Sequence, residues 1–367
     1  MVRGLVLLSY AALLVALPLA VVWWQGGPVA DYLRLPPITH PRPPAGFAWP
    51  ALGVMALVTG LAVFPLLHRV AKSHCPRWQP VHRRLPLWGW IGALLLAGAW
   101  IVAWNRFPWM GALQRHTFTP LWLGYIVVIQ AVSWRRSGHC LLCDRPGPFL
   151  ILFPASAAFW WSYEYLNRYV ENWYYLGAGE LGAGEYLLFA SLPFSTVLPA
   201  VLGTAQWLQT HPGVDCGLGR LRPAPWLTRP ALFGALVIVG ALGLVAIAGW
   251  PHYAYPLVWI APLCLLLGIQ GVAGQPPPLL CEVARGDWRR VWRFAIAGLI
   301  CGFFWELWNA GSLAHWEYSI PGVQGWQLFE MPLIGYAGYL PFGVTCAAVV
   351  DLILPPSARA APTAPTP

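Results

Sequence analysis

The sequence predicts an all-α polytopic membrane bundle of about ten transmembrane helices with an internal four-helix duplication. Three observations predict it. Hydrophobic residues make up 58% of the 367 and charged residues only 10%, against about a quarter charged in a soluble domain. Ten apolar runs have the length of a bilayer-spanning helix, roughly 17–25 residues. Arg and Lys alternate from loop to loop as a multipass topology requires.

The runs in order are Leu5–Trp24, Phe47–Leu67, Leu87–Trp104, Thr117–Trp134, Phe149–Tyr169, Tyr186–Leu208, Pro230–Trp250, Tyr255–Ala273, Arg293–Leu313 and Gln327–Leu354. The first has Arg3 ahead of an apolar core, as a signal peptide does. Its core is too long and no small-residue cleavage site is clear, so it reads as a helix. Trp is abundant, at 24 residues. It favours the bilayer interface, where the ring is apolar and the N–H finds a partner.

With the N-terminus in the cytoplasm, 17 of the 22 Lys and Arg fall on the cytoplasmic side. Arg34, Arg42, Arg106, Arg115 and Arg168 fall on the other. The net charge of +9 therefore reads as topology, not as a nucleic-acid surface. The expected place is a bacterial inner membrane, multipass, both termini cytoplasmic. The membrane is the expected partner, and the chain leaves the oligomeric state open. The Pro-rich PPITHPRPP reads as an external loop, and the tail PPSARAAPTAPTP as disordered.

A repeat organises the chain. Glu164 and Glu306 are 142 residues apart, as are Asn167 and Asn309. Trp173 and Trp316, and Tyr175 and Tyr318, are 143 apart. Leu188-Phe189 matches Leu328-Phe329 at 140, and Pro193 matches Pro332 at 139. The expected divisions are 1–86 for two N-terminal helices, 87–229 for the first four-helix repeat, 230–354 for the second, and 355–367 for the tail. An even number of helices per unit gives both copies one orientation, related by an axis along the membrane normal.

Ionisable groups inside a membrane are costly and usually face a bundle interior or a wet cavity. Glu306 and Glu164 lie inside apolar runs, and Glu330 near the start of the last one. A buried carboxyl that keeps its proton can serve as a general acid, so these three are the candidate acid/base groups. Asn309 and Asn167 follow their Glu by three residues, on the same helix face. Trp305, Trp308, Trp161, Trp316, Trp173, Tyr318 and Tyr175 crowd the acids. Aromatic faces stabilise cations by about 0.5–2 kcal/mol and make good walls for a polyene or isoprenoid. The competing reading is that Glu and Asn are satisfied polar groups that hold helices together. For Arg168, an i, i+4 ion pair with Glu164 is expected. The GYAGY segment (Gly335–Tyr339) reads as close helix packing.

Five cysteines, Cys75, Cys140, Cys143, Cys216 and Cys281, fall in expected cytoplasmic loops, a reducing place where disulfides are not expected. The spacings His74-Cys75 and His139-Cys140-Leu141-Leu142-Cys143 are metal-like. A lone CxxC is weak without a second pair, so free thiols and no metal are expected. No phosphate loop, nucleophile elbow, nucleotide fingerprint or HExxH occurs, and no cofactor is expected.

The order of Glu164, Trp173, Tyr175, Gly182, Glu185, Leu188, Phe189, Pro193 and Phe194 resembles the small integral-membrane lycopene cyclase family. The second copy offers Glu306, Trp316, Tyr318, Leu328 and Phe329. The likeness covers about 35–45 residues per copy. That family's Pro-x-Glu-Glu pair is replaced here by Gly-Ala-Gly-Glu, and in the second copy the acid follows as Glu330. The resemblance implies protonation of a polyene by a carboxyl, cyclisation through a carbocation and no redox cofactor. The sequence also looks like bacterial multipass proteins with a FWE-x-x-N element. The leading expectation is a site for a lipophilic, isoprenoid- or carotenoid-like substrate, with acid-catalysed cyclisation or isomerisation. The alternatives are a proton-coupled or solute transporter using the same carboxylates, and a non-catalytic membrane scaffold.

Overall fold

A computed structural model describes residues 2–37, 46–75 and 83–356. Residues 38–44 of the expected Pro-rich loop, and the expected tail from 357, lie outside them. The protein is helical throughout its core. In chain order the helices are α1 (Val2–Trp24), α2 (Trp49–Lys72), α3 (Leu87–Trp104), α4 (Phe118–Ser137), α5 (Leu141–Asp144), α6 (Pro146–Val170), α7 (Ala183–Phe194), α8 (Val197–Gln209), α9 (Pro230–Gly249), α10 (Pro251–Ala254), α11 (Ala261–Val272), α12 (Pro278–Ala284), α13 (Arg289–Gly311) and α14 (Tyr339–Ile353). Proline opens several of them, including α6 and α9, where its missing N–H costs nothing.

Among the described residues, seven helices are long and apolar enough to cross a membrane, or up to nine if each of two bent pairs is one span. The bent pairs are Pro108–His116 with α4, at 64°, and Pro251–Trp259 with α11, at 53°. By helix length and composition the chain is consistent with a multipass membrane protein. The expected span Phe149–Tyr169 lies within α6, which is 25 residues long and is not among these. Its run of Ser, Tyr, Glu, Asn and Arg lowers its hydropathy. The expected span Tyr186–Leu208 lies within Ala183–Gln209, one of the seven, with a local break at Ser195-Thr196 between α7 and α8.

The centre of the bundle is α8, α13 and α14; α8 and α14 are buried along most of their length and α13 along about half. α13 packs on α14 and α8, and α6 and α4 both pack on α8. Two tight helix pairs flank this centre, α3 with α4 and α9 with α11. Both depend on glycine. A Cβ at Gly124 would stand 2.7 Å from the Leu96 nitrogen, and one at Gly268 2.6 Å from the Val237 nitrogen. Without a hydrophobic drive in lipid, such close backbone approach is what holds helices together. α2 stands apart, with no buried residue along it.

The connecting segments gather in two sets. In one, Arg83 N–H donates to Arg135 O, Leu221 to Gly286 O and Trp288 to Leu218 O. In the other, Arg168 donates to the carbonyls of Tyr32 and Arg34, Arg106 to Gly311 O, and Ala48 to Gly322 O.

One cysteine expectation is corrected. Cys75 and Cys216 are joined as a disulfide, with their Cα atoms 5.7 Å apart, although they were expected as free thiols. The C-terminal end of α2 lies beside the loop after α8, where Arg69 also donates to Gly217 O. The expectation rested on compartment alone and had no means of seeing this contact. Cys140 and Cys143 are free, the first buried and the second exposed. In protein prepared without reductant, a membrane-permeant maleimide is therefore expected to label Cys143 and to spare Cys75 and Cys216. Labelling of either member of the pair under mass spectrometry would refute the bond.

Candidate functional site

Two stretches of backbone leave their helices in the same way. α13 ends at Gly311, and the chain turns back into β2 (His315–Tyr318). Asn309, fully buried, holds that turn: its Nδ2 donates to Trp316 O at 2.7 Å, and its Oδ1 accepts the Trp316 N–H at 2.7 Å. α6 ends at Val170 and turns into β1 (Trp173–Leu176). Asn167 Nδ2 donates to Trp173 O at 2.7 Å, and Oδ1 accepts from the backbone of Asn172 and Trp173 at 2.9 and 3.3 Å. The two asparagines thus satisfy the backbone at each helix exit. Neither is spent on the glutamate one turn before it.

β1 and β2 then pair with each other. The ladder is antiparallel, with Trp173 opposite Tyr318, Tyr174 opposite Glu317 and Tyr175 opposite Trp316. Strands were not expected here, because Trp-x-Tyr in a short connection carries no strand length. At the middle of the ladder Tyr174 OH donates to Glu317 Oε2 at 2.6 Å. Burial, and then the Glu317 carboxylate, push the Tyr174 phenol up to about 12.

The side chains of this ladder reach back to the helices that precede them. Glu164 is buried, and its Oε1 accepts from Trp160 Nε1 at 2.9 Å, Trp173 Nε1 at 3.2 Å and Tyr175 OH at 2.5 Å. Glu306 is fully buried, and its Oε1 accepts from Tyr318 OH at 2.7 Å and Tyr339 OH at 2.6 Å. Trp316 Nε1 donates in turn to Tyr318 OH at 2.8 Å. Glu306 Oε2 is buried without a hydrogen-bond partner. Arg168 does not take the expected ion pair. It turns to the Tyr32 and Arg34 carbonyls, and Glu164 is held by aromatic N–H and O–H groups instead.

A cavity of about 220 Å³ lies between the two hairpins. Its walls include Trp160, Trp173 and Tyr175 from the Glu164 group and Trp305, Trp316, Tyr318 and Tyr339 from the Glu306 group. The carboxyls themselves stand one layer behind that wall. Each reaches the cavity through the hydroxyls and indoles that hydrogen-bond it.

Five expected site residues line this space: Trp305, Trp316, Trp173, Tyr318 and Tyr175. Trp308 does not. It is fully buried and packs on Trp122, Tyr125 and Trp100. Trp161 turns outward, donating to Ser191 Oγ at 2.9 Å and packing on Phe194. Glu330 is not at the start of a helix. It sits in the turn between β3 (Gln327–Leu328) and β4 (Met331–Pro332), where Gln327 Nε2 donates to its carbonyl. The paired Leu188-Phe189 and Leu328-Phe329 also part company, since the first lies in α7 and the second in this hairpin.

Sequence reasoning assigned no substrate role to Trp160, Tyr339 or Trp259, which line the cavity. Trp160 had a usable signal, four residues before Glu164 and so on its helix face. Tyr339 had none, being 33 residues from Glu306 in a segment that reads as packing. Among the described residues, no three His, Cys, Asp or Glu come together as metal ligands. The chain matches no family model, no curated protein and no solved structure.

Proposed function

We propose that this protein holds a lipophilic, isoprenoid- or carotenoid-like molecule in the aromatic cavity and acts on it by proton transfer, as an isomerase or cyclase. One observation carries the reading. Two buried carboxyls on different helices are hydrogen-bonded by the same aromatic groups that wall one cavity. Purely structural glutamates have no reason to converge on a shared space. Glu306 is the acid: once the Tyr318 or Tyr339 hydroxyl, which donates to Oε1 at 2.7 or 2.6 Å, turns its O–H to the substrate, the protonated carboxyl gives its proton to that tyrosine oxygen as the tyrosine gives its own to the substrate. Protonation of a carbon–carbon double bond leaves a carbocation, and the surrounding Trp and Tyr faces stabilise it. Loss of a proton from a neighbouring carbon returns that proton to the carboxyl. Net turnover then rearranges bonds with no oxidant or reductant. Glu164, with three donors on one oxygen, is the electrostatic counterpart.

The same reading includes ten crossings, with α6 among them, in a bacterial inner membrane and with cytoplasmic termini. It also takes 87–229 and 230–354 as duplicated units. The segregation of the connecting segments supports the crossings. The matched Asn brackets and the ladder centred on Tyr174 and Glu317, themselves 143 residues apart, support the duplication.

The test is complementation. A deletion strain is expected to show an altered lipid or carotenoid profile, restored by the wild-type protein and not by Glu306→Gln. Full restoration by Glu306→Gln would overturn the acid role.

A further inference from the structure

We propose that the cavity takes an amphiphile whose anionic headgroup, a phosphate or carboxylate, docks on Arg115 at the mouth while its apolar chain enters the aromatic space. This rests on the preceding reading of the cavity as a ligand site and adds the class of molecule. The lining is apolar in depth but not at one edge, where Arg115, His116 and His315 meet it. No Asp or Glu is among the lining residues. Arg115 is the fixed cation there and gives the mouth a potential that favours an anion; His116 adds a polar ring beside it, while His315 Nε2 faces Glu317 Oε1 at 3.7 Å.

Arg115 is the residue that makes this a site. It belongs to the face with few cationic residues, where arginine is against the topological trend. Two other described arginines of that face each bond two backbone carbonyls, Arg106 those of Ala103 and Gly311 and Arg168 those of Tyr32 and Arg34; Arg168 also has a buried Nε without a partner, but it does not line the cavity. Arg115 has one such bond, from Nη1 to Ala178 O at 2.9 Å. Its Nε is buried with no partner, and its guanidinium lies 6.0 Å from the Phe189 ring centroid. A buried guanidinium N–H without an acceptor is costly. Stacking on one ring and one carbonyl fix the plane of the group while leaving donors for a ligand. Such a planar fork is suited to carboxylate or phosphate oxygens. The His116 ring packs edge-on against the same Phe189, 5.0 Å between centroids, so both bases are held at one edge of the opening.

The experiment uses full-length protein in a neutral maltoside detergent and follows the fluorescence of the cavity tryptophans. Three probes are titrated: dodecyl phosphate, dodecanol and inorganic phosphate. Dodecyl phosphate is expected to bind about tenfold or more tightly than dodecanol, the scale of one charge-assisted hydrogen bond. Arg115→Gln should abolish that preference while leaving dodecanol binding in place, and Arg115→Lys should keep part of it. Melting of each variant reports whether the fold survives the loss of the Ala178 contact. Equal binding of dodecanol and dodecyl phosphate by the wild type would overturn the headgroup subsite and leave the cavity reading standing. Binding of neither long-chain probe would overturn both. Arg115-dependent binding of inorganic phosphate at the same affinity as dodecyl phosphate would overturn the amphiphile, since the chain would then contribute nothing.

Discussion

Asn309→Leu is expected to destabilise the protein by about 3–5 kcal/mol, since it leaves a buried backbone N–H and C=O unpaired at about 1–3 kcal/mol each. The side chain is fully buried and both of its polar atoms are engaged by Trp316. Leucine is close in size, so the loss is one of hydrogen bonds more than of volume. The consequence extends to the site. Trp316 N and O fix where β2 begins, and β2 carries Tyr318 to Glu306 at 2.7 Å. Asn167→Leu should cost a similar amount through Trp173, and should loosen Tyr175 from Glu164. Thermal unfolding in detergent, followed by Trp fluorescence, reads the stability. Quenching by acrylamide reads whether the cavity tryptophans have become exposed. Unchanged melting of both variants would show that the asparagines do not bracket the hairpins.

These two asparagines also mark what was legible in the sequence. Their spacing from Glu164 and Glu306 was visible, and it placed all four residues on buried helix faces. Their partners were not visible. A spacing of three suggests a bond back to the glutamate, because same-face neighbours on a helix are the contacts that sequence can count. The actual partners lie beyond the helix end, where the chain reverses. Reversal is set by backbone geometry that periodicity does not encode. The antiparallel ladder between Trp173–Leu176 and His315–Tyr318 was hidden for the same reason. It joins segments about 140 residues apart and runs for four residues a side, too short to alternate recognisably.

The apolar runs were legible as helices, since apolar length is a direct physical demand of the bilayer, but ten crossings were expected and seven to nine helices of the described residues have the length and apolarity to cross. The exception is α6, which was expected as a span although its Ser, Tyr, Glu, Asn and Arg dilute its hydropathy, and which is not among the helices long and apolar enough to cross. Glu330 was misplaced for a different reason. The apolar residues of Gln327–Leu354 suggest one helix, but Phe329 has φ +58° and the chain folds into a hairpin before α14 begins. Arginine counting put Cys75 and Cys216 in one reducing compartment, which led to the expectation that both would be free, whereas they are joined. Topology says which residues share a face. It does not say which of them touch.

Gly343→Ala is the substitution expected to do the most damage to the site without touching a polar group. Here α13 and α14 approach backbone to backbone. A Cβ at Gly343 would run into the Phe294 carbonyl, and one at Gly298 into the Tyr339 carbonyl. Backbone atoms cannot rotate away, so the helices must separate. In a bundle that relies on packing and not on expulsion of water, such a separation removes the contacts that hold it. A cost of about 3 kcal/mol or more is expected, in the range of severe overpacking. The same seam positions the Glu306 hydrogen bond, because α14 begins at Tyr339, whose hydroxyl donates to Glu306 Oε1 at 2.6 Å. Gly302 is the informative comparison. A Cβ there meets the Tyr339 ring, not backbone, so Gly302→Ala should fold but displace the ring. Gly343→Ala is thus expected to lower the yield of folded protein and its melting temperature. Gly302→Ala should keep most of its stability yet behave in complementation like Tyr339→Phe, with the Glu306–Tyr339 bond lost. If Gly343→Ala melts like the wild type, the α13–α14 seam is not what positions Tyr339. If Gly302→Ala complements fully while Tyr339→Phe does not, the ring has room to yield, and the Glu306–Tyr339 bond survives the added methyl.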